Sequence, residues 1–144
     1  MGAMQRRMML AGSAMSVAIY RASGGRMLGK VGGVQVLLLT VEGRKTKTPH
    51  THPVGYFMND GRYVVTGSAG GSAVEPQWFR NLRRTDHAAI EVGRQHSDVS
   101  VTIAGPAERA TLWAELIERA PNFAGYQAKV TREIPMAVLT PRTG

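Results

Sequence analysis

Short apolar runs separated by polar turns make up most of the chain from residue 34 onwards. Residues 34–40 (VQVLLLT) are rich in β-branched and large apolar side chains and predict a buried strand. Similar runs predict strands at residues 54–58, 63–66, 88–92, 99–104 and 136–139. Between the second and third strands, Asn59-Asp60-Gly61 is a strong hairpin signal. About six short strands with such turns predict an antiparallel barrel, whose closure leaves no free strand edges.

Helices are predicted among these strands. Residues 75–82 form a short helix with a proline near its first turn. In residues 106–120 leucine and isoleucine recur at helical spacing, between one proline that starts the helix and another that ends it. A further short helix carries Phe123 and Tyr126. The whole pattern predicts a barrel-like α+β domain.

The first twenty residues have a different pattern. Arg6 and Arg7 precede an uncharged run at residues 8–19, which is shorter than the roughly 20 apolar residues that cross a bilayer. The run predicts a helix that packs on the domain or lies in a membrane interface, with a secretory or twin-arginine signal as the alternative. A glycine-rich connector follows. We therefore predict an N-terminal amphipathic helix and connector in residues 1–30 and a barrel domain in residues 31–144.

Composition narrows the chemistry. A chain of 144 residues, of which 43% are hydrophobic and 19% charged, is expected to form one globular domain. It contains no cysteine, which excludes disulfides, a thiolate zinc site, an iron–sulfur cluster and a cysteine nucleophile. Redox chemistry would therefore need a bound organic cofactor.

Positive charge is concentrated at the front of the chain. The whole chain has 18 basic and 10 acidic residues, whereas its first 50 residues contain eight basic residues and a single acidic one. A protein that binds nucleic acid through a folded face usually spreads its cations over that face. The clustering instead favours a local anionic partner, such as a lipid surface or a small phosphorylated ligand.

Common catalytic constellations are not found in the sequence. The four histidines have no metal-binding spacing and the pair His50 and His52 has no third ligand nearby, so no metal site is predicted. No GxSxG motif supports a nucleophilic serine. Glu115 and Glu118 lie on the polar face of a predicted helix, where ion pairing and solvation are the usual roles.

Two turns are suited to a phosphorylated ligand. Residues 43–48 (GRKTKT) place three cations and two hydroxyl groups on one turn, where an arginine can bind a phosphate through two hydrogen bonds. The glycine-rich turn at residues 67–72 permits close approach of its backbone to a ligand. Neither turn has Walker spacing, and a basic turn by itself is more often a solvated loop. Trp78 is interpreted as a packing aromatic, with a cofactor-lining role as the alternative.

Three segments in this order resemble the deazaflavin (coenzyme F420)-dependent nitroreductase and quinone reductase family of actinobacteria. They are LLLTVEGRKTKTPHTHPVGYF, VVTGSAGGSAVEPQWFRNL and YQAKVTREIPMAVLTP, and the resemblance runs from about Tyr20 to the C-terminus. It implies a split antiparallel β-barrel that binds reduced coenzyme F420 and transfers a hydride to a quinone or another electron-poor acceptor, including nitroaromatic compounds. It also implies a cytoplasmic protein whose N-terminal helix associates with the inner face of the cell membrane.

The resemblance also assigns roles to individual positions. The residues that would hold the phosphate and polyglutamate tail of the cofactor are Arg44, Lys45 and Thr46, with Lys47 as an added charge. The residues that would line the second strand beside this tail are His50, Pro53, Val54 and Gly55. The residues that would contact the deazaflavin and its linker are Thr66, Gly67, Ser68 and Ala69. The residues that would close the other side are Gln77, Trp78 and Asn81. Tyr126 would line the acceptor pocket, and Ser68 or Tyr126 could donate a proton, although hydride transfer depends mainly on orientation and exclusion of water.

Three positions depart from the pattern of that family. Lys47 stands where the family commonly has glycine, His50 where it has arginine, and Ala69 where it has a basic or polar residue. These differences leave room for an altered cofactor affinity. On the acceptor side, Phe123 and Tyr126 supply fewer tyrosine hydroxyls than some members have.

Three other functions stay open. One is an FMN-dependent oxidoreductase on a related barrel, although FMN carries one terminal phosphate and the three cations suit a longer anionic tail. Another is a non-catalytic carrier of deazaflavin or of a lipid, which would share the pocket without turnover. A barrel that binds single-stranded nucleic acid ranks last, because the chain has nine aromatic residues and carries most of its cations outside the strands. No nucleic-acid partner is therefore predicted.

Overall fold

The computed structural model describes residues 15–26, 30–31, 34–68 and 71–142 of the chain. The strands are β1 (Lys30–Val31), β2 (Val34–Glu42), β3 (Pro49–Asn59), β4 (Arg62–Thr66), β5 (His87–Val92), β6 (Gln95–Ile103) and β7 (Met136–Pro141). The helices are α1 (residues 15–23), α2 (Gln77–Leu82), α3 (Pro106–Arg119) and α4 (Asn122–Ala128).

Six strands form a closed antiparallel barrel in the order β2-β3-β4-β7-β6-β5, and β5 returns to pair with β2. The closing pair is short and runs from Leu38 opposite Glu91 to Thr40 opposite Ala89. The small strand β1 pairs with the first residues of β2. This arrangement confirms the predicted α+β antiparallel barrel of about six strands with short helices.

Two strands extend further than the apolar pattern predicts. β3 begins at Pro49, and its polar first half pairs with β2, where His52 lies opposite Leu39. Pairing between strands uses backbone groups and needs no apolar side chain, so β3 continues through residues that the pattern assigned to a turn. β6 likewise begins at Gln95, immediately after a tight turn in which Gly93 has a φ of 61°.

The predicted hairpin connects β3 and β4. Asp60 and Gly61 have φ angles of 54° and 78°, and Asn59 lies opposite Arg62 across the turn. A two-residue type I′ turn requires positive φ at both central residues, which aspartate and glycine tolerate better than most other residues.

Apolar side chains fill the barrel and cover part of its outer face. Buried residues inside the barrel include Leu37, Leu39, Val41, Val54, Tyr56, Val65, Ile90, Val99 and Leu139. On the outer face α3 and α4 bring Leu112, Leu116 and Phe123 against Val64 and Val138. The spacing of Leu112 and Leu116 places both on one side of α3, as the sequence predicts.

α1 packs on the outside of β2 beside the closing strand pair. Its Tyr20 is buried, and Val17 and Tyr20 contact Val36 and Leu38. The Tyr20 hydroxyl donates a hydrogen bond to the Val36 carbonyl at 3.0 Å and accepts one from the Gly93 N–H at 2.9 Å. The described part of the N-terminal helix is therefore bonded to the barrel.

An ion pair adds to this attachment. Arg21 donates two hydrogen bonds to the Glu91 carboxylate at 3.0 and 2.7 Å, and these bonds lower the pKa of Glu91. The predicted helix at residues 8–19 falls partly outside the described residues, as do Arg6 and Arg7. Among the described helices, none has the length and apolar character needed to cross a membrane.

Candidate active site

The mouth of the barrel, formed by residues 43–48 and α2, contains an open cavity of about 460 Å³. The cavity brings together six residues that the sequence predicts as cofactor-binding: Arg44, Lys45, Thr46, His50, Gln77 and Asn81. It adds Gly43 and His52, which the resemblance did not assign. These residues come from the β2–β3 connection, the start of β3 and the helix that follows the glycine-rich turn.

Arg44 is held in place by two neutral amides of α2. Its backbone N–H and one terminal guanidinium nitrogen donate to Asn81 Oδ1 at 3.2 and 2.8 Å, and the other terminal nitrogen donates to Gln77 Oε1 at 2.8 Å. Asn81 is buried. Since a guanidinium has five N–H donors and both partners are uncharged, Arg44 is oriented while it keeps its full charge and free donors for an anion.

The backbone of the turn is closed by two hydrogen bonds. The Gly43 N–H donates to the Thr48 carbonyl at 2.8 Å, and the Lys47 N–H donates to the Gly43 carbonyl at 2.9 Å. Lys47 has a φ of 60°, which is rare for a residue with a long side chain and marks stored strain. A glycine at this position would relieve the strain but would remove a cation from the turn.

Four cations line a groove of about 430 Å³ beside the mouth, which we call the cationic groove: Arg44, Lys45, Lys47 and Arg84. None of the four takes part in a salt bridge within the described parts of the chain. The sequence analysis does not assign Arg84, because two strands and α2 separate it from residues 44–47 along the chain. Only the fold reveals that α2 ends beside this turn.

The two histidines of the mouth lie on the same side of β3. They are two positions apart, opposite the inward-facing Val41 and Leu39 of β2. Burial lowers the pKa of His52, and electrostatic interaction with the neighbouring His50 lowers it further. No group of three metal-binding side chains occurs in the ranges that the structure describes.

The glycine-rich turn forms a second part of the site, which we call the glycine segment (residues 67–72, of which Ala69 and Gly70 lie outside the described residues). Thr66 and Ser68 are buried, and the Thr66 hydroxyl donates to the Ser68 hydroxyl at 3.5 Å. The Gly67 N–H donates to the Pro135 carbonyl at 2.9 Å. A Cβ at Gly67 would lie 3.0 Å from both Phe79 and Pro135, so glycine is the residue that fits.

Aromatic residues flank this segment on two sides. Trp78 is half-buried against the barrel core and contacts Phe79 edge-on at 5.5 Å between ring centroids. Tyr126 contacts Phe123 edge-on at 5.1 Å, and a Cβ at Gly71 would lie 3.3 Å from the Tyr126 backbone. Tyr126 thus lies beside the glycine segment, although its role as an acceptor-lining or proton-donating residue stays a prediction.

Three predicted residues lie away from the mouth. Val54 points into the barrel core, and the neighbouring Pro53 and Gly55 belong to the opposite, outward face of β3. Gly55 lines a small cleft with Thr66 and Phe123. Most of the predicted site residues therefore form a cationic group at the mouth or a group around the glycine segment, whereas Pro53 and Val54 lie outside both.

The donor set fits the cofactor that the resemblance implies. Phosphate and carboxylate groups are best bound by an oriented guanidinium with further cations nearby, and the mouth and the cationic groove supply both. The number of cations exceeds what one terminal phosphate of FMN requires. The glycine segment supplies a buried hydroxyl pair and backbone that a planar ring system can approach closely.

Solved structures with the same fold include one that is described as a reductase dependent on this coenzyme. One, described as an F420-H2 dependent reductase, superposes with a TM-score of 0.65 at 26% identity and covers 72% of this chain and 92% of its own. Another, described as a domain-swapped dimer, has a TM-score of 0.68 at 22% identity and covers 88% of this chain and 94% of its own. At that identity the second shows the fold alone. Both support the split-barrel fold.

The family model described as F420H(2)-dependent quinone reductase matches residues 13–141. A protein of Mycobacterium tuberculosis named F420H(2)-dependent quinone reductase is 33% identical over 129 residues, which cover 87% of each chain. The family description confirms the resemblance that the three motifs carry, together with the oxidoreductase class and the coenzyme. The chain belongs to the F420H(2)-dependent quinone reductase family.

Proposed function

We propose that this protein transfers a hydride from reduced coenzyme F420 to a quinone at the glycine segment, with nitroaromatic compounds as further acceptors. The observation that carries this proposal is the oriented Arg44 at the edge of a groove lined by four unpaired cations. Such a groove is built for a ligand with several negative charges. When bound, the coenzyme supplies the hydride.

The residues of the chain bind, orient and exclude water. Arg44, Lys45, Lys47 and Arg84 hold the phosphate and the glutamyl tail, and Asn81 fixes the direction of the Arg44 guanidinium. The phosphate and the tail do not react, and their binding orients the ring, which does react. The buried position of Ser68 and the packing of the glycine segment on Phe79 keep solvent away from the reacting atoms.

The acceptor enters beside α4. The half-buried Tyr126 ring lies there, supported from behind by the buried Phe123, and the Lys129 ammonium lies 5.9 Å from the centre of the Tyr126 ring. Quinones and nitroaromatic compounds are flat and electron-poor, so both suit an aromatic wall. The Tyr126 or Ser68 hydroxyl donates the proton that the reduced acceptor requires, unless water supplies it.

A quinone dissolved in a membrane is reached through the N-terminal segment. Arg6 and Arg7 precede the uncharged run and would meet anionic headgroups at the inner face of the cell membrane. Deleting residues 1–14 tests this location and keeps Val17 and Tyr20, through which α1 packs on the barrel. Vesicles with anionic lipid should retain the full chain and release the shortened one, whereas equal retention contradicts a membrane contact at residues 1–14.

The first experiment measures fluorescence of the purified protein during titration with coenzyme F420 and, separately, with FMN. The reduced F420 complex is then mixed with menadione and with a nitroaromatic acceptor. Binding of F420 in preference to FMN, followed by reoxidation that depends on the acceptor, supports the reductase. Binding without reoxidation by either acceptor favours a carrier, and a preference for FMN contradicts the proposal.

A further inference from the structure

Arg132 spans the gap between the α4–β7 connection and the glycine segment. Its Nε and one terminal nitrogen donate to the Ser72 carbonyl at 3.1 and 3.0 Å. The same terminal nitrogen donates to the Gly67 carbonyl at 3.1 Å and approaches the Ser68 carbonyl at 3.4 Å. One side chain therefore contacts both ends of the glycine segment.

The backbone that carries Arg132 is itself fixed from α3 and α4. Gln127 of α4 donates to the Arg132 carbonyl at 2.9 Å and accepts from the Ile134 N–H at 2.9 Å. Arg109 of α3 donates to the Ile134 carbonyl at 3.0 and 2.9 Å and to Gln127 Oε1 at 3.0 Å. A continuous series of hydrogen bonds thus connects both helices with the glycine segment.

The bonds of Arg132 are made to carbonyl groups. No salt bridge to Arg132 occurs among the described residues, and its buried second terminal nitrogen has no hydrogen-bond partner among them. A guanidinium that is half-buried without a carboxylate partner lowers the stability of the fold. A contact with a purely structural role would not need such a charge. Its planar fork can reach several carbonyl groups at once, whereas a lysine presents a single ammonium.

We propose that Arg132 is a positioning residue of the reductase, which fixes the described ends of the glycine segment, at residues 67–68 and 71–72, where they receive the deazaflavin ring, and couples them to α4. The proposal rests on the proposed function. Under this proposal Arg132 contributes to the affinity for the deazaflavin ring, whereas the cationic groove contributes to the affinity for the charged tail. Tyr126, which lies on α4 beside Gly71, belongs to the same coupled unit.

The test compares coenzyme F420 with the deazaflavin riboside that lacks the phosphate and glutamyl tail. In Arg132→Lys, Kd should rise about tenfold for both ligands, because charge is kept but hydrogen bonds that orient the ring-binding backbone are lost. Hydrogen–deuterium exchange of the unliganded protein should become faster in the peptide spanning residues 66–73 and stay unchanged in the barrel strands. Arg62→Lys is the matched control, because Arg62 donates through Nε and a terminal nitrogen to Asn59 in the distant β3–β4 hairpin.

Several outcomes overturn the proposal. Riboside affinity equal to that of the wild type and the control does so, as does faster exchange spread over the whole barrel. If Arg132→Lys does not fold, Gln127→Leu loosens the same connection, with an expected rise of about threefold in Kd for both ligands. If the wild type binds neither ligand, the proposed function fails, and the exchange experiment alone decides whether Arg132 fixes the glycine segment.

Discussion

The mouth of the barrel and the glycine segment are neighbours along the site, yet they are built in opposite ways. The mouth is exposed, carries four cations without ion-pair partners in the described structure, and is held by neutral amides of α2. The glycine segment begins in a buried position against Phe79 and Pro135, contains the buried Ser68 hydroxyl, and is held from behind by Arg132. Charge at the mouth provides affinity for a multiply charged ligand, whereas enclosure at the segment provides the dry, fixed surroundings that hydride transfer requires.

The ratio of affinities for the full coenzyme and the riboside separates the two regions. A variant of the mouth should change this ratio, because it affects only the ligand that carries a tail. A variant of the glycine segment should leave the ratio unchanged, because both ligands contain the ring.

Arg44→Ala should have the largest effect. Loss of charge-assisted hydrogen bonds of about 2–3 kcal/mol should raise Kd for the full coenzyme by about 30- to 150-fold. Riboside affinity should change by less than about twofold, since no charged group of that ligand is involved. Fluorescence titration measures both values. Arg80→Ala, at an exposed position of the same helix, is the control. An equal loss of affinity for the full coenzyme and the riboside would contradict the assignment of Arg44 to binding of the tail.

Gly67→Ala should weaken both ligands by about tenfold, since the added methyl group overpacks a tight site at a cost of about 1–3 kcal/mol. The methyl carbon would lie 3.0 Å from Phe79 and Pro135, which forces the glycine segment to shift. Gly125→Ala is the control, because a Cβ there meets no atom within 4 Å. A normal riboside affinity in Gly67→Ala would show that the ring binds elsewhere.

Lys47→Gly should raise the stability of the protein and lower its affinity for the coenzyme. Relief of the left-handed backbone should raise stability by about 0.5–1 kcal/mol, or the melting temperature by about 2 °C. Loss of one cation should raise Kd for the full coenzyme by about threefold to fivefold. Asp60→Gly relieves a similar backbone conformation in the distant hairpin and should leave both affinities unchanged. Tighter coenzyme binding by Lys47→Gly would exclude a role for this cation.

The smallest effect concerns pH at the mouth. Burial holds the pKa of His52 below its ordinary value of 6.5, so His52 is mainly neutral at neutral pH and gains charge only in more acidic solution. An anionic ligand favours the protonated form, so coenzyme affinity should rise by about twofold to threefold between about pH 7.5 and pH 5.5. His52→Gln should reduce this rise, and riboside affinity should not show it. In the unliganded protein the sign is opposite: the unfolded chain is protonated first, so stability falls as pH decreases through 6.5.

Much of the fold follows from local patterns. The apolar runs locate the strands, the turn at Asp60 and Gly61 locates a hairpin, and proline limits both ends of α3. The start of β3 was assigned to a turn, because proline, threonine and histidine give weak strand signals and only pairing with β2 reveals the strand. β1 was hidden inside a glycine-rich connector for the same reason.

Only part of the site follows from local patterns in the sequence. The turn with Arg44 and the glycine segment are visible as motifs, since each concentrates chemistry within a few residues. Arg84, His52 and Arg132 were not assigned, because each acquires its role from a partner distant in sequence. No local spacing indicates that α2 ends beside the β2–β3 turn, or that the α4–β7 connection lies against the β4–α2 segment.

The short pairing between β2 and β5 also has a kinetic consequence. Few backbone hydrogen bonds close the barrel there, and α1 spans the joint: Tyr20 bonds with Val36 on one side and Gly93 on the other. When α1 detaches, two strand edges become available for pairing with the same edges of a second molecule. We expect amide exchange along this joint to precede that of the other barrel strands. We therefore expect the attached helix to hinder strand exchange between copies of the chain.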